Sequence, residues 1–230
     1  MKKILLLLLS IIISSCATKQ IQSAISSGNY DDAIDNAVSN LQNNKDKKRK
    51  QEYIYLLEEA FAKAKERDLS SIDAFTKDIN PSNLEKVYNL YNQLNERQNQ
   101  IKPLLPLFLL KENRNANFPF DNYTNQIIKS KNELSKYLYD NSKTLILTKD
   151  KMTIRRAYDD LAYLDKINPN YKDVQNLMKD AKLKGTNYVN FYTKNETNMA
   201  IPNRLQNDLL DFSTFGLNDK WTVYHSNKIK

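Results

Sequence analysis

Ser26-Ser-Gly-Asn-Tyr-Asp-Asp-Ala-Ile34 decides how the rest of this chain is read. Gly28 has no Cβ, so it can take the positive φ that closes a helix. A second helix starts near Asn29. Asp31 and Asp32 fall in its first turn, where the helix dipole favours carboxylates. Tyr30, Ala33, Ile34, Ala37, Val38 and Leu41 then share one face at helical spacing. The small alanines on that face let a neighbouring helix approach closely. The stretch therefore predicts two helices joined at Gly28.

Working outward, the same periodicity recurs. Tyr53, Leu56, Leu57, Ala60, Phe61 and Ala64 mark a further helix. Asp68-Leu-Ser-Ser71 reads as a break, and Asn80-Pro81-Ser82 as another, with Ser82 an N-cap. Leu84, Val87, Tyr88, Tyr91, Leu94 and Ile101 line a long amphipathic helix. Residues 123–147 give another, with Ile127, Leu134, Tyr137 and Leu138 on one face. Ile154, Ala157, Tyr158, Leu161 and Leu164 line the next helix. A turn at Asn168-Pro-Asn-Tyr171 leads to Val174, Leu177, Met178 and Ala181, and this last helix stops at Gly185.

The Gly28 region resembles the middle of a tetratricopeptide repeat, whose consensus places a similar glycine, tyrosine and alanine across its helix–turn–helix. The tryptophan-and-leucine opening of that repeat is absent. The Asn168–Tyr171 turn looks like the junction between two such repeats. The resemblance implies an irregular array of helical hairpins and a protein-binding role.

Ile101-Lys-Pro-Leu-Leu-Pro-Leu-Phe-Leu-Leu110 interrupts the pattern. Its two prolines forbid a regular helix. The segment reads as a buried crossing between hairpins, with an apolar surface for a partner or membrane as the alternative. Asn113–Asn122 is a loop carrying Phe118 and Phe120. Tyr88, Tyr91, Phe118 and Phe120 are the candidate partner-binding residues, and half-buried core is the competing reading for the tyrosines.

The N-terminus carries the other strong signal. Lys2 and Lys3 precede an apolar run, residues 4–13, followed by Ser14, Ser15 and Cys16, the chain's single cysteine. The run is about half of the ~20 residues a membrane-spanning helix needs, and the basic start marks a secretory signal. Ile13-Ser-Ser-Cys16 resembles the lipobox of bacterial lipoproteins. That resemblance implies cleavage between Ser15 and Cys16 and acylation of the Cys16 thiol. Membrane lipid would then be a partner. Ala17-Thr-Lys-Gln20 lacks both an inner-membrane retention aspartate and an acidic surface-export cluster, which implies the periplasmic face of the outer membrane.

Composition narrows the function. Three glycines and six prolines in 230 residues favour helices over a turn-rich β protein. The net charge is +8. Secretion argues against nucleic acid as the partner, and the lysines are mixed with acids as on solvated helix faces. The run Lys45–Lys50 is a candidate lipid-headgroup contact, with a solvated helix start the competing reading. One histidine, His225, supports no metal pair and no triad with a thiol that is acylated. Adjacent acids such as Asp31-Asp32, Glu58-Glu59 and Asp159-Asp160 point in different directions on a helix. The chain is accordingly expected to have no catalytic residue, metal or cofactor.

After Gly185 the pattern changes. Tyr188–Thr193 and Lys220–His225 are β-prone, and a short helix runs from Ile201-Pro202 through Leu210. This start faintly resembles the α/β domain of periplasmic lipoproteins that regulate cell-wall synthesis or assemble secretion channels. Two strands and one helix bury no core of their own. They are read as part of a longer domain, with packing on the helices as the alternative. The expected organisation is a signal peptide (1–15), a mainly α tetratricopeptide-like region (16–185) and a short β-α-β segment (186–230). The expected function is a membrane-anchored, non-enzymatic scaffold binding an envelope protein. The alternatives are a peptidoglycan-associated factor or hydrolase, and a spacer held against the membrane.

Overall fold

The computed structural model describes residues 17–211, 216–217 and 219–225. Ser15 and Cys16 lie outside them. The protein is mainly α-helical, with eight α-helices among the described residues and only short strands. It divides into two compact units, one through Asn132 and one from Glu133.

Unit 1 begins with α1, residues 17–26. Gly28 closes it at φ +80°, and α2 (Tyr30–Leu41) follows. A Cβ on Gly28 would meet no atom within 4 Å, so the glycine is required by its backbone angle alone. Gly28→Ala should therefore cost about 1–2 kcal/mol, and Gly28→Asn less, since asparagine tolerates this region. Urea unfolding midpoints check the order. α2 packs on α3 (Gln51–Lys77), and α3 on α4 (Asn83–Ile101). Ile34, Leu41, Ile54, Leu57 and Ile101 are fully enclosed in this core.

The expected break at Asp68–Ser71 does not occur, and α3 runs through it. Ser71 bonds back to the Arg67 carbonyl at 2.8 Å, a local use of the hydroxyl that the helix tolerates. Asp68 is turned inward to a long-range partner. Ser82 makes no capping bond with its side chain. Asn80 Oδ1 instead accepts the Ser82 N–H at 3.0 Å.

The proline-rich crossing is buried along one side only, and Leu105, Phe108 and Leu110 stay exposed. Leu104, Leu107 and Leu109 join the core beside α3. Strands β1 (Phe108–Leu109) and β2 (Arg114–Asn115) pair antiparallel within this loop. One stripe of α3 holds it. Gln51 donates to the Phe108 carbonyl at 3.0 Å and accepts the Leu110 N–H at 2.7 Å. Glu58 takes Arg114 through both oxygens at 2.7 and 2.9 Å. Lys65 donates to the Pro119 carbonyl at 2.6 Å. Successive members lie two helical turns apart, so they share one face. Lys45, from the basic run, donates to the Leu104 carbonyl at 2.6 Å.

The remaining helix of unit 1, α5 (Thr124–Ile146), contains the division between the units. In unit 2, α6 (Lys151–Ile167) and α7 (Val174–Gly185) form a hairpin. Asp150 caps α6, accepting from the N–H groups of Met152 and Thr153. Asn170 takes φ +61° in the turn. Asn168 Nδ2 donates to the Ser135 hydroxyl at 3.1 Å. Leu161, Leu164 and Ala181 are fully buried between these helices.

β3 (Asn187–Asn190), α8 (Asn203–Leu210) and β4 (Thr222–His225) complete unit 2. The strands pair parallel, Tyr188 opposite Val223. They pack on the helices through Trp221, whose ring meets Tyr158 edge-on at 5.3 Å. A Cβ on Gly185 would come within 2.9 Å of that indole. Glycine at the end of α7 thus lets the ring lie against the backbone.

Candidate functional site

Three of the four candidate binding residues fall in two apolar clusters. Phe118 and Phe120 each meet Phe61 edge-on at 5.6 Å and stack on one another at 6.2 Å. They are half-buried against the main core of unit 1. Tyr91 tilts against Tyr123 at 6.1 Å in a smaller cluster with Val87 and Leu94. Tyr88 is half-buried on α4. The phenylalanine pair and Tyr91 thus belong to separate apolar clusters among the described residues.

A buried charge cluster lies elsewhere in unit 1, at residues the periodicity did not single out. Arg97 of α4 is 4 % exposed and Asp68 of α3 is 1 % exposed. Arg97 Nη1 donates to Asp68 Oδ2 at 2.5 Å. Its Nε and Nη2 donate to the two oxygens of Asp31 at 2.5 and 3.2 Å. Arg67 adds a contact to Asp68 at 2.8 Å and one to the Gly28 carbonyl at 3.1 Å. Its guanidinium lies 5.1 Å from the Tyr30 ring centroid. The cluster therefore ties the Gly28 turn, α2, α3 and α4 together. Burial pushes the Asp31 carboxyl up, but the Arg97 hydrogen bond and the charges of Arg97 and Arg67 outweigh it and hold it below the usual aspartate value. Burial likewise opposes the charge on Arg97, and the two aspartates more than offset it. Asp31 thus does more than complement a helix dipole.

A signal for this cluster was present. Arg97 sits between Leu94 and Ile101, at i−3 and i+4, on the apolar face of α4. Asp68 sits between Ala64 and Ile72, at i−4 and i+4, on the apolar face of α3. A charge on such a stripe is buried with a partner or not at all.

Unit 2 carries an open groove of about 450 Å³ between α7 and the β3–β4 pair. Tyr158, Met178, Leu183, Tyr188 and Val223 form its apolar walls. Lys179 and Lys182 stand at its rim with Gln175, and no carboxylate lines it. Gln175, Lys179 and Lys182 fall at i, i+4 and i+7, a stripe flanking the buried face of α7, and the buried Thr186 follows at the helix end. Lys182 Nζ lies 4.5 Å from the Trp221 ring centroid and donates to the Lys220 carbonyl. Lys220 in turn pairs with Asp159 at 2.7 Å. Leu183 and Tyr188 remain 63 % and 53 % exposed.

Among the described residues, no group of three or more His, Cys, Asp or Glu side chains is placed to hold a metal ion. No helix among them is long and apolar enough to cross a membrane. Compared with protein-family models, curated proteins and solved structures, the chain finds no match.

Proposed function

We propose that this chain is a lipid-anchored, non-enzymatic scaffold of the bacterial cell envelope. It is tethered at Cys16 to the periplasmic face of the outer membrane and engages a protein partner through its helical hairpins. The observation that carries the reading is the run from Lys2 to Cys16: basic start, short apolar core, Ile13-Ser-Ser and cysteine. Acyl chains on Cys16 supply the membrane affinity, since a single chain binds only marginally and stable anchoring takes more than one signal. The mainly α fold and the tetratricopeptide-like stretches around Gly28 and Asn168–Tyr171 support the binding role.

Mass spectrometry of the protein from cell membranes tests the anchor. The expected N-terminal peptide begins with acylated Cys16, and Cys16→Ser is expected to leave the membrane fraction. In-cell crosslinking followed by purification should then recover one envelope protein near stoichiometry. An unmodified N-terminus, or turnover of peptidoglycan by the purified protein, would count against the proposal.

A further inference from the structure

We infer that the unit 2 groove is the seat of the partner, and that it takes a short acidic segment with a large apolar anchor side chain. The inference rests on the scaffold reading and adds the place and chemistry of contact. Charge complementarity identifies the occupant. The groove has two rim lysines and no lining carboxylate. Neighbouring cations are already matched: Lys184 pairs with Asp180 at 2.8 Å and Lys220 with Asp159. Lys179 has no such partner among the described residues, and Lys182 is held over an indole rather than beside an acid. The rim therefore presents positive charge to whatever enters. The walls call for an apolar anchor, because Leu183 and Tyr188 leave large apolar area in water that a bound side chain would cover.

A protein segment fits better than a lipid headgroup with its acyl chain. The groove is open along its length, so an acyl chain laid in it would stay wetted. Gln175 at the rim offers one donor group and one acceptor, the complement of a peptide unit.

The test uses the full chain in detergent and a fluorescein-labelled peptide, Asp-Glu-Phe-Leu-Asp-Glu, read by fluorescence anisotropy. Lys179→Glu and Leu183→Asp alter exposed side chains, so circular dichroism should be unchanged. Each is expected to raise Kd at least tenfold. Added salt should weaken binding, and a peptide with alanine at the Phe and Leu positions should bind at least tenfold more weakly. Unchanged affinity in both variants, or equal binding of the alanine peptide, would overturn the inference. So would displacement by phosphatidylglycerol mixed micelles at lower concentration than by unlabelled peptide, which would make the occupant a lipid. The two readings fail separately. If the crosslinked envelope protein is still recovered with Lys179→Glu and Leu183→Asp, the groove falls and the scaffold stands. If the peptide binds as expected while Cys16 is unmodified, the anchor falls and the groove stands.

Discussion

Arg97→Ala is expected to lower the unfolding free energy by about 3–5 kcal/mol, because it strands a buried carboxylate. Asp68 is almost wholly enclosed, and Arg67 alone would remain beside it. Coulomb attraction between the ions is not the source of that figure. Desolvation offsets most of it, and an apolar replacement of the whole pair is often neutral. The distinguishing result is thus a double substitution. Arg97→Met should be nearly as damaging as Arg97→Ala, while Arg97→Met with Asp68→Leu should recover most of the loss. Urea unfolding of the three variants measures this directly, and a double variant as unstable as the single would contradict it.

The same cluster sets a pH dependence. The folded value of Asp31 lies below its unfolded value. Its contribution is therefore complete above the unfolded value, about pH 4, and is lost as pH falls through the lower folded value. The gap between wild type and Arg97→Ala should accordingly narrow as the pH is taken below about 4. Asp31 is half-exposed, so the narrowing should be partial. A gap that widens on acidification would mean that Asp31 is not held by Arg97.

Leu107→Asp is expected to unfold unit 1. Leu107 is 1 % exposed and Leu109 is fully buried, both in the cluster centred on α2 and α3. Truncation of such a leucine to alanine costs about 2–5 kcal/mol. A carboxylate at the same place adds the cost of desolvating a charge with no partner. The total approaches the whole stability of an ordinary domain, about 5–15 kcal/mol. Loss of helical circular dichroism on Leu107→Asp, with Leu105→Asp or Leu110→Asp tolerated, is the expected pattern. Leu105 and Leu110 are 37 % and 52 % exposed in the same segment. The reverse pattern, a folded Leu107→Asp protein that has lost membrane affinity, would instead make the segment a membrane contact.

Helix positions were legible because their causes are local. Gly28 closes a helix through its own backbone freedom, and the apolar faces of α2, α3, α6 and α7 repeat within a few turns. The β3–α8–β4 order was readable for the same reason, since alternation and Pro202 act over a few residues. The error at Asp68–Ser71 shows the limit. Locally, Asp, Ser and Ser favour a turn. Packing of α3 against α2 and α4, with Arg97 waiting 29 residues on, overrides that preference.

What only the tertiary structure decided is the use of polar side chains. Asp31 and Arg97 are 66 residues apart in the chain, and Glu58 and Arg114 are 56 apart. In sequence each is one more charge on an amphipathic helix or loop. The stripe Gln51, Glu58 and Lys65 that straps the proline-rich loop is likewise ordinary helix surface until the loop lies on it. The unit 2 groove joins α6 and α7 to strands that follow in the chain, so no window of sequence contains it. Periodicity within one segment determined which faces are apolar. Only the folded chain, bringing distant segments to hydrogen-bonding distance, decided which charges are buried in pairs and which lysines are left facing an open apolar groove.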